Sequence, residues 1–116
     1  MTTNSKEHSG LTPEALALVA QRFRVLGDAT RLSIIQTLFG GEKSVQEICR
    51  SVGTSQANIS RHLAVLVGEG LIGRRKEGLF VYYSIADESL YNLCELVCSS
   101  LSDRFERALD TFQTPR

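Results

Sequence analysis

Ser55, Gln56, Asn58, Ser60 and Arg61 are side chains of the types that read nucleic acid, crowded into one short run. Gln56 and Asn58 can each pair two hydrogen bonds with an adenine edge, and Arg61 can reach guanine or a phosphate. The two serine hydroxyls suit phosphate oxygens or bases. Further on, Arg74, Arg75 and Lys76 form a cationic run able to lie along phosphates or to place one arginine in a minor groove. His62 is a DNA-contact candidate that lies nearer the apolar face than Arg61, so packing competes with a phosphate contact there. The other reactive side chains are Cys49, Cys94 and Cys98. Cys94 and Cys98 are four residues apart, so on a helix their thiols share a face and could ligate one soft ion. A third thiolate, from Cys49 or from a second copy, would make a trigonal sulfur site for As(III) or a similar ion. The pair could instead react with an oxidant or sulfane sulfur. Buried cysteine also commonly serves as a small hydrophobe, and for Cys49 that packing reading is favoured.

The reading residues need a frame, and the local signals supply one. Ser44 opens a helix as N-cap, and Glu47 completes a capping box. Val45, Ile48 and Val52 form that helix's apolar face. Gly53 permits a sharp turn, and Thr54 or Ser55 caps a second helix. There Ile59, Leu63 and Leu66 recur at helical spacing. At ~100° per residue, the free side presents Ala57, Asn58 and Arg61, flanked by Ser60, with Ser55 and Gln56 at the exposed start. The spacing predicts a helix-turn-helix over 44–67 whose second helix offers its N-terminal half to a major groove. Leu71-Ile72, the polar run Gly73 to Gly78 and the β-forming run Leu79 to Ile85 predict a β-hairpin over 71–85. Its tip is basic, and Gly78 supplies the positive φ of a three-residue loop. The fold class is mainly α with this small β-hairpin wing: a winged helix-turn-helix of about five helices.

Before this stretch, Thr12 and Pro13 start a helix whose Leu16, Val19, Ala20, Phe23 and Leu26 are the expected buried stripe. Gly27 ends it, and Asp28 caps a helix from Ala29 to Phe39 with Leu32, Ile35, Leu38 and Phe39 expected in the core. Arg31 reads first as a structural partner of Asp28 or of a neighbouring helix, and second as a phosphate contact. After Ile85, Asp87 caps a last helix over 87–112. Its Leu90, Cys94, Val97, Cys98, Leu101, Phe105, Ala108 and Phe112 trace one apolar stripe. An amphipathic helix of that length, beyond a finished core, needs a partner. The economical one is its own copy in a C2 homodimer, packed together with the first helix. Residues 1–11 are expected to be a disordered tail in which His8 has no assigned role, and 12–113 to form one domain.

The composition agrees. The chain has 116 residues, 42% of them hydrophobic, which suits one small globular domain. No long apolar run predicts a membrane span, and an odd cysteine count speaks against a secreted disulfide framework. The cytoplasm is the expected compartment, with no membrane partner. Net charge is zero, but Lys43 to Lys76 carries six cations against two anions, while Glu77 to Arg116 carries three against seven. The basic segment coincides with the predicted DNA-reading elements, an electrostatic footprint on a neutral protein. Enzymatic thiol chemistry is disfavoured, because there is no C-x-x-C pair, no histidine near Cys94 and Cys98, and no phosphate-cradling glycine loop.

Several runs together resemble the ArsR/SmtB family of bacterial repressors. These are Leu26-Gly27-Asp28-Ala29-Thr30-Arg31-Leu32, Ser55-Gln56 through Ser60-Arg61-His62-Leu63, Glu69-Gly70-Leu71-Ile72, Arg74, Gly78 and Val81-Tyr82-Tyr83. The likeness runs from about Ala17 to about Leu101. It implies a homodimeric winged helix that binds operator DNA, an imperfect palindrome, and releases it when a metal ion, metalloid or oxidising sulfur species binds. Where the family carries paired cysteines for arsenic or cadmium in the first reading-module helix, this chain has Cys49 and Ser51. Where zinc-responsive members place an acid and histidines along the last helix, it has Asp87, Ser89, Ser100 and Asp103, so only the carboxylates stand. Neither familiar site is intact. Cys94 and Cys98 remain as the sensor alternative, for As(III) or another thiophilic ion, or for reactive sulfur or an oxidant. The other alternative is a DNA-binding regulator with no metal or redox sensing.

Overall fold

The computed structural model describes residues 10–113, and side chains as far as residue 107. Residues 1–9, with His8, and the side chains of Ala108 and Phe112 lie outside the described residues. Helix starts follow the local chemistry closely. α1 (Pro13–Leu26) begins on Thr12, whose Oγ1 accepts the Ala15 amide at 3.0 Å. α2 (Ala29–Leu38) begins on Asp28, whose Oδ1 accepts the Arg31 amide at 2.9 Å. That hydrogen bond is the main reason the Asp28 carboxyl lies below its ordinary pKa. α3 (Val45–Val52) opens on a reciprocal box: the Glu47 amide donates to Ser44 Oγ at 3.2 Å, and the Ser44 amide donates to Glu47 Oε1 at 2.8 Å. Gly53 ends α3 at φ 85°, a left-handed turn that glycine adopts without strain. α4 (Gln56–Gly68) begins on Ser55 rather than Thr54, the Ser55 Oγ accepting the Asn58 amide at 3.1 Å. α5 (Ser89–Gln113) follows Asp87, whose Oδ1 accepts the Ser89 hydroxyl at 2.6 Å and amide at 3.0 Å.

Three antiparallel strands complete the fold: β1 (Lys43–Ser44), β2 (Ile72–Glu77) and β3 (Phe80–Ile85), in the order β1-β3-β2. The two-residue β1, too short to leave a periodic signal, pairs Lys43 with Tyr83 and Ser44 with Tyr82. It ties the hairpin to the residue that caps α3. The hairpin loop has two residues rather than the expected three, because Glu77 pairs with Phe80. Gly78, at φ 62°, takes the first loop position, where a type II′ turn requires glycine. Helix, turn, helix and hairpin make a winged helix-turn-helix, mainly helical, with five helices among the described residues.

The core is built where α2, α3, α4 and the hairpin meet. Ile34, Ile35, Leu38, Ile48, Ile59, Leu63, Leu66, Leu71 and Leu90 are fully buried. Arg22 clamps its edge: Nε lies 3.1 Å from Glu69 Oε2, Nη2 donates to Glu69 O at 3.2 Å, and Nη1 lies 3.2 Å from Asp87 Oδ2. Expected core positions on three helices differ from the structure. Leu32 is 41% exposed, and Ile34 holds the buried place instead. On α1 only Val25 and Leu26 are buried, while Leu16, Val19 and Phe23 lie on a face that the described residues leave open. Among the described side chains of α5 only Leu90 is buried, and Val97, Leu101 and Phe105 lie open. The projecting helices give a Cα radius of gyration of 18.3 Å, well above the ~13 Å of a compact chain of about this size.

Candidate nucleic-acid interface

The fully buried Ile59, Leu63 and Leu66 fix which side of α4 is free. Gln56, Ala57, Ser60 and Arg61 are exposed on that side, with Ser55 at its start. Asn58 is half-buried and engaged at the start of the helix. Its Nδ2 donates to Thr54 Oγ1 at 3.3 Å, and its Oδ1 accepts from Arg61 Nη2. In this arrangement Asn58 braces Arg61 instead of standing open as an adenine reader. Ser55 Oγ accepts a cap hydrogen bond, which leaves its hydroxyl proton to donate outward.

His62 points the other way. It is 5% exposed, and its Nδ1 lies 3.1 Å from Arg31 Nη1. The expected phosphate contact is therefore corrected: burial inside α4's packed face is what the ring adopts. Arg31 likewise takes its structural alternative. Its Nε donates to Val25 O at 2.6 Å and its Nη2 to Arg24 O at 3.4 Å.

On the wing the cations lie along β2 rather than at the loop tip. Arg75 is held by a fork of two hydrogen bonds to Glu42, 2.9 Å from Nε to Oε2 and 2.8 Å from Nη2 to Oε1. Its Nη1 donates to Glu77 Oε1, and its guanidinium lies 4.9 Å from the centre of the Tyr82 ring. The pairing is mutual: hydrogen bonds from Arg75 hold the Glu42 carboxyl below its ordinary range, and Glu42 and then Glu77 push Arg75 further up. Alternation along the strand puts Arg74 and Lys76 on the opposite face. Both are exposed, and neither makes an ion pair among the described residues. The partners Glu42 and Arg22 escaped the sequence reading, and no spacing rule links positions so far apart in the chain.

The thiols fall into two places. Cys49 is half-buried against the core. Cys94, half-buried, and Cys98, exposed, line a groove of about 840 Å³ between α5 and the α1–α2 pair, walled by Phe23, Leu32, Phe39 and Tyr91. Tyr91 stacks on Phe39 with ring centres 4.4 Å apart. Burial, and then the neighbouring Cys98, push the Cys94 thiol above its ordinary pKa. Among the described residues no three His, Cys, Asp or Glu side chains gather to hold a metal ion. Cys49 therefore does not complete a trigonal sulfur site with this pair inside one chain, which corrects that expectation.

Residues 28–73 match the family model described as "Bacterial regulatory protein, arsR family". The arsenical resistance operon repressor of Escherichia coli (strain K12) is 43% identical over 70 residues, covering 60% of each chain. A transcriptional repressor SmtB homolog of Synechocystis sp. is 30% identical over 96 residues, covering 78% of this chain and 73% of that one. Among solved structures, a homodimeric winged helix-turn-helix DNA-binding domain from Mycobacterium bovis superposes with a TM-score of 0.73 at 31% identity. That match covers 84% of this chain and 94% of the other. This chain spans less than two thirds of several curated relatives, 60–64% of their length. Among the described residues, no helix is long and apolar enough to cross a membrane.

Proposed function

The chain belongs to the arsR family of bacterial regulatory proteins, and from that membership we propose that it is a homodimeric, cytoplasmic repressor that binds operator DNA. One observation carries the reading: the face of α4 opposite its buried leucines presents Gln56, Ser60 and a braced Arg61, with the unpaired Arg74 and Lys76 on the neighbouring wing. The first set suits base edges in a major groove, the second suits phosphates. Two copies would read half-sites ~34–36 Å apart on an imperfect palindrome. The uncovered apolar residues of α1 and α5 are the surface on which two copies would join. The chemistry is binding, with no catalytic step.

The inducer we propose is thiophilic and engages Cys94 and Cys98. Support comes from the two sulfurs sharing one groove, and from a relative named for arsenical resistance. Two thiols suit a soft ion of low coordination number; a three-sulfur set needs a donor from the second copy. The competing reading, in which the cysteines only pack, draws on the upward push of Cys94, since a protonated thiol is a poor ligand and nucleophile. A gel shift with the DNA upstream of the chain's own gene tests both proposals. Binding released by As(III), Cd(II), Zn(II) or polysulfide, and retained under the same reagent by a Cys94→Ser, Cys98→Ser double variant, supports sensing at these thiols. No shift contradicts the repressor reading, and normal release by the double variant contradicts the thiol site.

A further inference from the structure

We infer that Arg31 and His62 form a strut that fixes the roll of α4 against the end of α1, and so decides how the reading face meets a duplex. The inference rests on the DNA-reading proposal above. Arg31 leaves the first turn of α2 and reaches two other helices at once. Its Nε and Nη2 donate to Val25 O and Arg24 O, carbonyls of the last turn of α1, where Arg24 O also accepts the cap amide of Gly27 at 3.3 Å. Its Nη1 reaches Nδ1 of His62, in the middle of α4. The planar guanidinium keeps its charge and carries only donors. His62 Nδ1 must therefore accept, and the ring is held as the tautomer with its proton on Nε2. Asp28 anchors the base of the strut by accepting the Arg31 amide.

Ile59, Leu63 and Leu66 bury the same side of α4, but apolar contact is non-directional and tolerates a roll of the helix. A hydrogen bond from a rigid fork does not. His62 also directly follows Arg61, the exposed cation of the reading face, so a roll that breaks the His62 contact carries Arg61 with it. Because α1 offers apolar surface for a second copy, the strut runs from the proposed dimer face to the proposed DNA face. Arg31 and His62 are positioning residues that need not touch DNA themselves.

The test uses the full chain and two probes: a duplex that the unsubstituted chain selects from a random-sequence pool, and a scrambled duplex of the same composition. The readout is the ratio of the two affinities by fluorescence anisotropy at one salt concentration, with dimer state followed by sedimentation. His62→Leu removes the acceptor. Arg31→Lys keeps the charge but loses the fork. Each is expected to lose about tenfold or more of the selected-over-scrambled ratio, the scale of one mis-set base contact, while scrambled binding and the dimer persist. His62→Asn, whose Oδ1 can stand where Nδ1 stood, is expected to keep the ratio within a few-fold. Should His62→Leu fail to fold, Arg31→Lys carries the result. A lowered melting temperature with an unchanged ratio overturns the strut. Equal binding of both duplexes by the unsubstituted chain overturns the DNA-reading premise, and the strut with it.

Discussion

Arg75 and Glu42 face each other through two hydrogen bonds of 2.8 and 2.9 Å, so the wing's middle cation is already answered by a carboxylate of the same chain. Glu77 answers it a second time. Of the three cations read from the sequence as phosphate contacts, only Arg74 and Lys76 offer uncompensated charge. A phosphate that approaches Arg75 meets the carboxylates of Glu42 and Glu77 beside it.

Glu42→Gln should therefore tighten binding to duplex DNA, selected or scrambled, by roughly two- to five-fold, the scale of one exposed ion pair. The salt dependence should steepen by about one unit of log–log slope, as for one added phosphate contact. Lys76→Ala should flatten it by a similar amount. Anisotropy titrations at several salt concentrations decide both. An Arg75→Ala, Glu42→Gln double variant should show no gain, which ties the effect to that pair.

The helix starts predict how stability responds to acid. Asp28, Glu47 and Asp87 all have carboxyls held below their ordinary values, chiefly by hydrogen bonds from the Arg31 amide, the Ser44 amide and the Ser89 hydroxyl respectively. A carboxylate whose folded pKa is depressed contributes stability that is present above its unfolded value, here 3.8 or 4.5, and lost as pH falls through the folded one. The melting temperature should accordingly hold near neutral pH and fall below about pH 4. Asp28→Asn should fall less steeply over that window. An acid response identical to that of the unsubstituted chain would mean that the Asp28 cap contributes nothing to it.

Much of this architecture was legible because it is local. The capping box at Ser44, the caps at Thr12 and Asp28, and the left-handed Gly53 each depend on a few adjacent residues, and each appears as the sequence implied. Positions whose state depends on distant packing were not legible. Leu32 and Phe23 carry core-type side chains, yet both stay exposed among the described residues, and helical spacing alone does not tell a face the chain buries from one it leaves open. Asn58 and Gln56 look equivalent in sequence, and only the placement of Thr54 and Arg61 shows Asn58 to be engaged. Glu42 and Arg22 sit 33 and 47 residues from their partners Arg75 and Glu69, so only the folded sheet and helix pair reveal them.

The open stripe on α5 makes a prediction of its own. Leu101 is 60% exposed, and a charge there costs the single chain little. Buried between two copies without a partner, the same charge would be strongly unfavourable. Leu101→Glu should keep the helical circular-dichroism spectrum, sediment as a monomer, and lose most operator affinity because two half-sites are no longer engaged together. A dimer that survives the substitution would place the interface elsewhere.

In the proposed complex the free side of α4 enters DNA, and Arg61 is the exposed cation of that side. Arg61→Ala, compared with the unsubstituted chain by fluorescence anisotropy on the DNA upstream of its own gene, is the shortest route to an answer. A loss of about tenfold or more, with melting temperature and dimer intact, is the predicted result. Unchanged affinity would mean that this helix does not read the duplex.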